Sequence, residues 1–384
     1  LMIPYGRHHI DKEDLLAVKK VLKSNFLTQG PLINKFEKLI SKYVGSKYAV
    51  VVSSCTAGLH LASIISNNTN GKKLLTSPIS FASTANSSIF TGGDVVFADI
   101  EEDTGNISIK SISEALKKNK INSISPVHFG GLPCEMISIN KLRKKNKITI
   151  YEDAAHAFGA KYDVKTKVGS CKYSDMTVFS FHPVKSIAMG EGGCVTTNNK
   201  KIYERLSRLR NHGIEKQKGN FFVKNRRDYP WYYEMQELGY HYRATDIQCA
   251  LGISQLKKIK KFLSKRRELA KNYDVAFREM KNARPLQFNK RDLSSNHLYV
   301  LLIDFKKISK TRSDIMHSLR KVGIITQVHY IPINHHPFYR KLNFKKKLTQ
   351  AENYYEKALS LPIFYDLKDK EQKHIIYHIK KLIK

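Results

Sequence analysis

The sequence predicts an α/β fold: a large domain on a mostly parallel sheet, followed by a smaller C-terminal α/β unit. Three observations lead there. Short apolar runs rich in Val, Ile and Thr alternate with segments of helical periodicity, the pattern of buried strands joined by crossover helices. The chain has 384 residues, too many for one small core. Its texture changes near residue 256, where a long basic helix begins. The division is therefore placed at 1–255 and 256–384.

The elements follow in order. The first helix is expected over 12–24, with Asp11 as its cap and Leu15, Leu16, Val18, Val21 and Leu22 as its apolar stripe. A turn at Leu27-Thr28-Gln29-Gly30-Pro31 leads to a helix over 32–44. The strand 48–53 passes through Ser54-Cys55-Thr56-Ala57-Gly58 into a helix over 59–66. Strands are predicted at 73–76, 95–98, 123–127, 149–152, 177–180 and 193–197, with helices over 81–90, 110–118 and 138–145. The C-terminal unit reads as the basic helix to 276, a strand at 297–304, a helix at 311–322, a strand at 326–330, and closing helices from Leu348 and Asp369.

Composition narrows the function classes. Hydrophobic content of 41% and charged content of 26% are those of an ordinary globular chain. No apolar run approaches a membrane span, and the start, in which Met2 reads as the initiator, has no signal-peptide pattern. Cys55, Cys134, Cys171, Cys194 and Cys249 are scattered without a C-x-x-C pair, which points to reduced thiols in a cytoplasm. Lys+Arg 67 against Asp+Glu 33 leaves a net charge of +34. Such an excess raises nucleic acid as a partner. The lysines are spread along the chain, however, and the densest run, 257–267, alternates with Leu256, Ile259, Phe262 and Leu263 at helical spacing. That is the solvated face of an amphipathic helix. Neither nucleic acid nor membrane is expected as a partner, while a diffuse positive field helps collect an anionic substrate.

The chemistry concentrates around Lys185. It lies in Ser180-Phe181-His182-Pro183-Val184-Lys185, between a strand and the turn Gly190-Glu191-Gly192-Gly193. A lone lysine is nearly always a solvated surface residue. This one stands among apolar and small residues, where desolvation lowers the amine pKa and favours Schiff-base chemistry. Asp153 closes the apolar run Ile148-Thr149-Ile150-Tyr151-Glu152, three residues before His156. An acid at a strand end often merely caps a helix. Together, though, Lys185 and Asp153 are the two groups that pyridoxal 5'-phosphate (PLP) needs: an amine for its aldehyde and a carboxylate for its ring nitrogen. If a helical turn starts at Asp153, His156 shares its face and either hydrogen-bonds the phenolic oxygen or flanks the ring. Thr56 and Ala57, at a strand-to-helix turn, and Ser180 suit the phosphate, although a plain helix cap explains the same run. Phe81 is core on base rates and a ring-stacking partner in a PLP site. The dinucleotide, Walker, nucleophile-elbow and H-E-x-x-H motifs are missing, and the pairs His8-His9 and His335-His336 have the wrong spacing for a shared metal, so no metal is expected.

These motifs together resemble the DegT/DnrJ/StrS family of PLP-dependent sugar-nucleotide aminotransferases, over nearly the whole chain. The matching stretches include Leu27-Thr28-Gln29-Gly30-Pro31, Pro78-Ile79-Ser80-Phe81, Asp153-Ala154-Ala155-His156, Lys185 with its flanks, Leu209-Arg210-Asn211-His212-Gly213, and Arg243 with Asp246-Ile247-Gln248. Three more, 76–81, 294–299 and 327–333, resemble the branch that aminates carbon 4 of a UDP-linked 4-keto-6-deoxy-N-acetylhexosamine in pseudaminic acid biosynthesis.

The resemblance implies a fold-type I (aspartate aminotransferase-like) homodimer with active sites at the subunit interface. It implies L-glutamate as amino donor and a UDP-linked ketosugar as acceptor. By position, Lys185 is the cofactor lysine, Asp153 the ring-nitrogen partner, Thr56, Ala57 and Ser180 the phosphate holders, Phe81 the stacking ring and His156 its flank. Where relatives carry an asparagine that reaches the partner subunit's phosphate, this chain has His241, which can donate the same bond. Some relatives replace the lysine with histidine and act as dehydratases; Lys185 argues against that. His329 and Tyr330 are read either as sugar contacts or as a packed strand end. Another nucleotide ketosugar, a PLP-retaining regulatory protein and a nucleic-acid binder stay open as alternatives.

Overall fold

The computed structural model describes residues 2–226, 228–342 and 347–384. Leu1, which precedes Met2, lies outside them. Seven strands form the main sheet: β1 (Tyr48–Val52), β2 (Lys73–Thr76), β3 (Asp94–Phe97), β4 (Ser123–Ser125), β5 (Thr149–Asp153), β6 (Met176–Ser180) and β7 (Gly193–Thr197). Their order is β1-β7-β6-β5-β4-β2-β3. The β2–β3, β2–β4, β4–β5 and β5–β6 pairs are parallel, and β7 runs antiparallel to both β1 and β6. The α/β sheet expected from the apolar runs is thus present, with one reversed strand.

Both faces of the sheet are covered. On one, Phe179 and Phe181 pack with Phe158 and Phe36, under the helices Pro31–Val44 and Asp246–Lys257. On the other, Val50, Val178 and Val195 pack against Leu59 of the helix Cys55–Ile65. That helix sits unusually close: a Cβ on Gly58 would meet Val178 Cγ1 at 2.8 Å. Its N-terminus is fixed in the same way, since a Cβ on Gly193 would lie 2.7 Å from Cys55 N. The glycine turn before β7 is therefore a packing requirement of the helix start.

A two-stranded ribbon, β8 (Ile214–Glu215) with β9 (Glu234–Met235), precedes the C-terminal unit. There, β10 (Ala283–Pro285), β11 (Tyr299–Ile303) and β12 (Ala358–Leu361) form an antiparallel sheet. The helices Ile259–Phe277, Arg312–Lys321 and Asp369–Ile383 supply its core with Tyr273, Ile315 and Ile375. The N-terminal segment crosses to this unit: Ile3 bridges Ile324, and Tyr5 O accepts from Ile363 N–H at 3.1 Å.

Several expectations need correction. The segment 326–330 is no strand; only Gln327 bridges, to Ser360, and the chain then turns into the wall of a cavity. Its alternating pattern imitates a strand, but the partner of β11 is the short run Ala358–Leu361, which the sequence hid between helices. The helix expected from Leu59 begins at Cys55, because the Ser54 side chain accepts from Ala57 N–H at 3.1 Å and caps it there. The expected helical turn at Asp153 is a plain turn outside any helix. The helices Lys200–Leu209 and Asp246–Lys257 were not expected at all.

Candidate active site

The carboxyl ends of β1, β2, β5 and β6 open onto one cavity of about 620 Å³, the crevice where ligands bind in α/β sheets. Lys185, Asp153, His156, Ser180, Thr56 and Phe81 all line it. Lys185 is placed by the turn after β6, where its N–H donates to His182 O at 2.9 Å. Its Nζ lies 3.4 Å from His297 Nε2. Burial lowers this amine to about 8; Cys55 and Asp153 pull it upward, and Arg266 pushes it further down.

Asp153 ends β5 and is 4% exposed. One carboxylate oxygen accepts from Thr84 Oγ1 at 2.5 Å, the other from Ala155 N–H at 3.1 Å. Burial raises its pKa against those bonds and against the Lys185 charge. Among the described residues no ion pair reaches it. Its neighbour Glu152 faces the other side of the strand. There His128, Ser174, Tyr162 and Thr177 all bond to it, and these bonds hold its pKa low although burial opposes them.

The opposite wall comes from the C-terminal unit. His156 Nδ1 accepts from Gly130 N–H at 3.3 Å, so Nε2 carries the proton and donates to Tyr330 Oη at 3.0 Å. The His156 and His297 rings lie 4.4 Å apart. His329 Nδ1 meets Ser360 Oγ at 2.9 Å. Burial, with the nearby Lys185, pushes His156 and His297 well down and His329 to about 3. All three are neutral imidazoles at physiological pH.

The helix start faces the cavity. Gly58 N–H returns to Ser54 O and Ala57 N–H to Ser54 Oγ. Among the described residues no hydrogen bond reaches the amides of Cys55 and Thr56, which stand free for an anion. Ala57 itself is buried, its amide already capped. Phe81 is 63% exposed at the cavity mouth. His241 lies outside the cavity on the exposed surface, its ring 5.4 Å from His212.

These features fit PLP. An amine lowered toward neutrality, a buried carboxylate outside any ion pair among the described residues, an amide cradle beside a serine hydroxyl, and an uncovered aromatic ring supply what its aldehyde, ring nitrogen, phosphate and ring face require. Sequence reasoning missed Thr84, Tyr5, Arg266 and the role of His297. Thr84 lay in a predicted helix beside Phe81 and Arg266 in the basic run 257–267, but neither stretch shows locally that its side chain turns to the site.

Comparison with known proteins points the same way. The model of the DegT/DnrJ/EryC1/StrS aminotransferase family matches residues 8–380. The UDP-4-amino-4,6-dideoxy-N-acetyl-beta-L-altrosamine transaminase of Campylobacter jejuni is 40% identical over 376 residues, 97% of this chain and 96% of that protein. The spore coat polysaccharide biosynthesis protein SpsC of Bacillus subtilis is 37% identical over 385 residues, 100% of this chain and 97% of that protein. The solved structure of Helicobacter pylori PseC, an aminotransferase involved in the biosynthesis of pseudoaminic acid, superposes with a TM-score of 0.90 at 34% identity, covering 100% of this chain and 99% of that one.

Proposed function

The chain belongs to the DegT/DnrJ/EryC1/StrS aminotransferase family and is a PLP-dependent sugar aminotransferase, and we propose that it moves the amino group of L-glutamate to carbon 4 of a UDP-linked 4-keto-6-deoxy-N-acetylhexosamine. The observation that carries this is the meeting of Lys185 and Asp153 in one cavity, in a chain 40% identical to a transaminase named for a UDP-linked 4-amino-4,6-dideoxy-N-acetyl sugar.

When bound, PLP supplies an electron sink for the pair left behind as the donor's α-hydrogen departs as a proton. Lys185 Nζ takes that proton and later returns it, a task suited to an amine near 8. Asp153 balances the positive charge on the ring nitrogen and is itself relieved of an unpaired burial. The Thr56 and Cys55 amides and the Ser180 hydroxyl hold the phosphate, and the Ala57 amide fixes the helix start that presents them. Phe81 covers one ring face. His156, kept neutral, flanks the ring and orients Tyr330 through its Nε2–H bond. Tyr330 and His329 take the sugar side of the cavity.

The assembly we propose is a homodimer. Phe222, Trp231 and Leu238, on the segment around β8 and β9, are 74%, 73% and 72% exposed, an apolar surface that a second copy would cover. His241 follows the same segment and would reach the second copy's phosphate. We place the division of the chain at 255/256 and the enzyme in the cytoplasm. All five cysteines are free, which suits a reducing compartment, and among the described residues no helix is long and apolar enough to cross a membrane.

The test is turnover. Purified protein supplied with PLP and L-glutamate is offered a panel of UDP-4-keto and dTDP-3-keto sugars, and the aminated sugar is identified by mass spectrometry. Amination of the UDP-4-keto-6-deoxy-N-acetylhexosamine in preference to the others is expected. Preference for a dTDP-3-keto sugar would overturn the substrate while leaving the aminotransferase.

A further inference from the structure

Arg266 is a buried cation that the reaction above does not use. It projects from the helix Ile259–Phe277 and is 3% exposed. Among the described residues no carboxylate pairs with it; its partners are backbone carbonyls. Nη1 donates to Ile363 O at 2.9 Å and to His297 O at 3.3 Å, and Nη2 donates to Val184 O at 3.3 Å. An uncompensated guanidinium in a protein interior is costly, so its place calls for a reason.

Its partners supply one. Val184 immediately precedes Lys185. His297 is the residue whose ring meets the Lys185 amine at 3.4 Å. One guanidinium therefore holds the backbone on both sides of that contact, and ties it through Ile363 to the chain just beyond β12.

We propose that Arg266 is a positioning residue for Lys185: its fork fixes the lysine and His297 against each other, and its unpaired charge disfavours a second positive charge on the lysine amine. The surroundings agree. The groups lining the spaces around Lys185 are Cys55 on its helix, Asp153 on β5, His182 in its own turn with Glu191 beyond, the imidazoles of His156, His297, His329 and His336, the phenols of Tyr5 and Tyr330, and, on the Arg266 side, Arg7, His8, His9 and Tyr365. The thiol is held neutral by burial, and the imidazoles of His156, His297 and His329 are neutral. Asp153 favours a protonated lysine, and Arg266 is the one cation among the groups that shift Lys185. Without it, burial alone would oppose the pull of Asp153.

The test reads Lys185 directly. Full-length protein carrying pyridoxamine phosphate, in which Lys185 is free, is labelled with limiting acetic anhydride across pH. Acetylation of Lys185 is quantified by peptide mass spectrometry, with circular dichroism as the check on folding. The expected midpoint for the native chain lies below the ordinary lysine value. Arg266→Gln should raise it by roughly one pH unit, tenfold in proton affinity, while Arg266→Lys, which keeps the charge, should restore it. A purely structural clip would not move this midpoint. A folded Arg266→Gln with an unchanged midpoint overturns the proposal. So does Arg266→Lys behaving like Arg266→Gln. If Arg266→Gln does not fold, a native midpoint at the ordinary lysine value overturns it, and the native, lowered midpoint retained in Arg266→Lys supports it.

Discussion

The two walls of the cavity are built on different terms. The floor lies at the strand ends of the large sheet, where each chemical group follows its strand within a few residues: Thr56 after β1, Phe81 after β2, Asp153 on β5, Lys185 after β6. The facing wall comes from the C-terminal unit and carries neutral imidazoles and a phenol: His297, His329 and Tyr330. The floor holds the charges that a cofactor needs, and the wall holds none. On the proposed reading, the floor takes the cofactor and the wall takes the sugar.

The comparison is broken most sharply by removing the floor's amine. Lys185→Ala should abolish the visible absorbance of the lysine-bound cofactor and cut transamination by roughly 10³-fold or more. A surviving band in that protein would take Lys185 out of its role. Asp153→Asn keeps the shape and the Thr84 contact but removes the charge. Its rate should fall on the order of 10²–10³-fold with the phosphate still bound, measured as kcat with saturating PLP. Near-normal activity would separate Asp153 from the ring nitrogen.

The wall should respond more gently. Tyr330→Phe deletes the bond to His156 Nε2 and should lower kcat/KM for the sugar about tenfold, leaving the half-reaction with L-glutamate within about twofold of native. Equal losses in both half-reactions would mean that Tyr330 serves the cofactor rather than the sugar. The smallest effect is on stability. His329 is held to about 3, so below its ordinary value near 6.5 the unfolded chain binds a proton that the folded one refuses. Stability should therefore decline as pH falls from about 6.5 toward 3, with His156 and His297 adding to the slope. His329→Asn should flatten that decline in denaturant titrations; an unchanged slope would place the imidazole in water.

The same contrast explains what the sequence disclosed. The floor was legible because each of its residues sits in a short local motif, next to a strand whose apolar run is its own signal. Lys185 between β6 and a glycine turn is such a case, and the glycine proves to be where β7 touches the start of the helix Cys55–Ile65. The wall was legible only in part: His329 and Tyr330 were named, but on an expected strand. Residues 326–330 alternate as a strand does, yet turn into the cavity, and β12, which occupies the expected strand position, is four residues long. Arg266 looked like one more basic residue on an amphipathic helix. Its burial depends on carbonyls at 184, 297 and 363, which no periodicity within 259–277 can reveal. Contacts across a hundred residues leave no local pattern.

The most direct measurement is the absorbance spectrum of the purified protein with PLP, taken before and after L-glutamate and again after the UDP-linked 4-keto-6-deoxy sugar. A visible band from the lysine-bound cofactor should be lost with L-glutamate as the pyridoxamine form appears, then return with the ketosugar. No band, even with PLP supplied, would contradict the assignment of Lys185 and Asp153 as the cofactor site; a band that L-glutamate changes but the sugar does not restore would contradict the proposed acceptor.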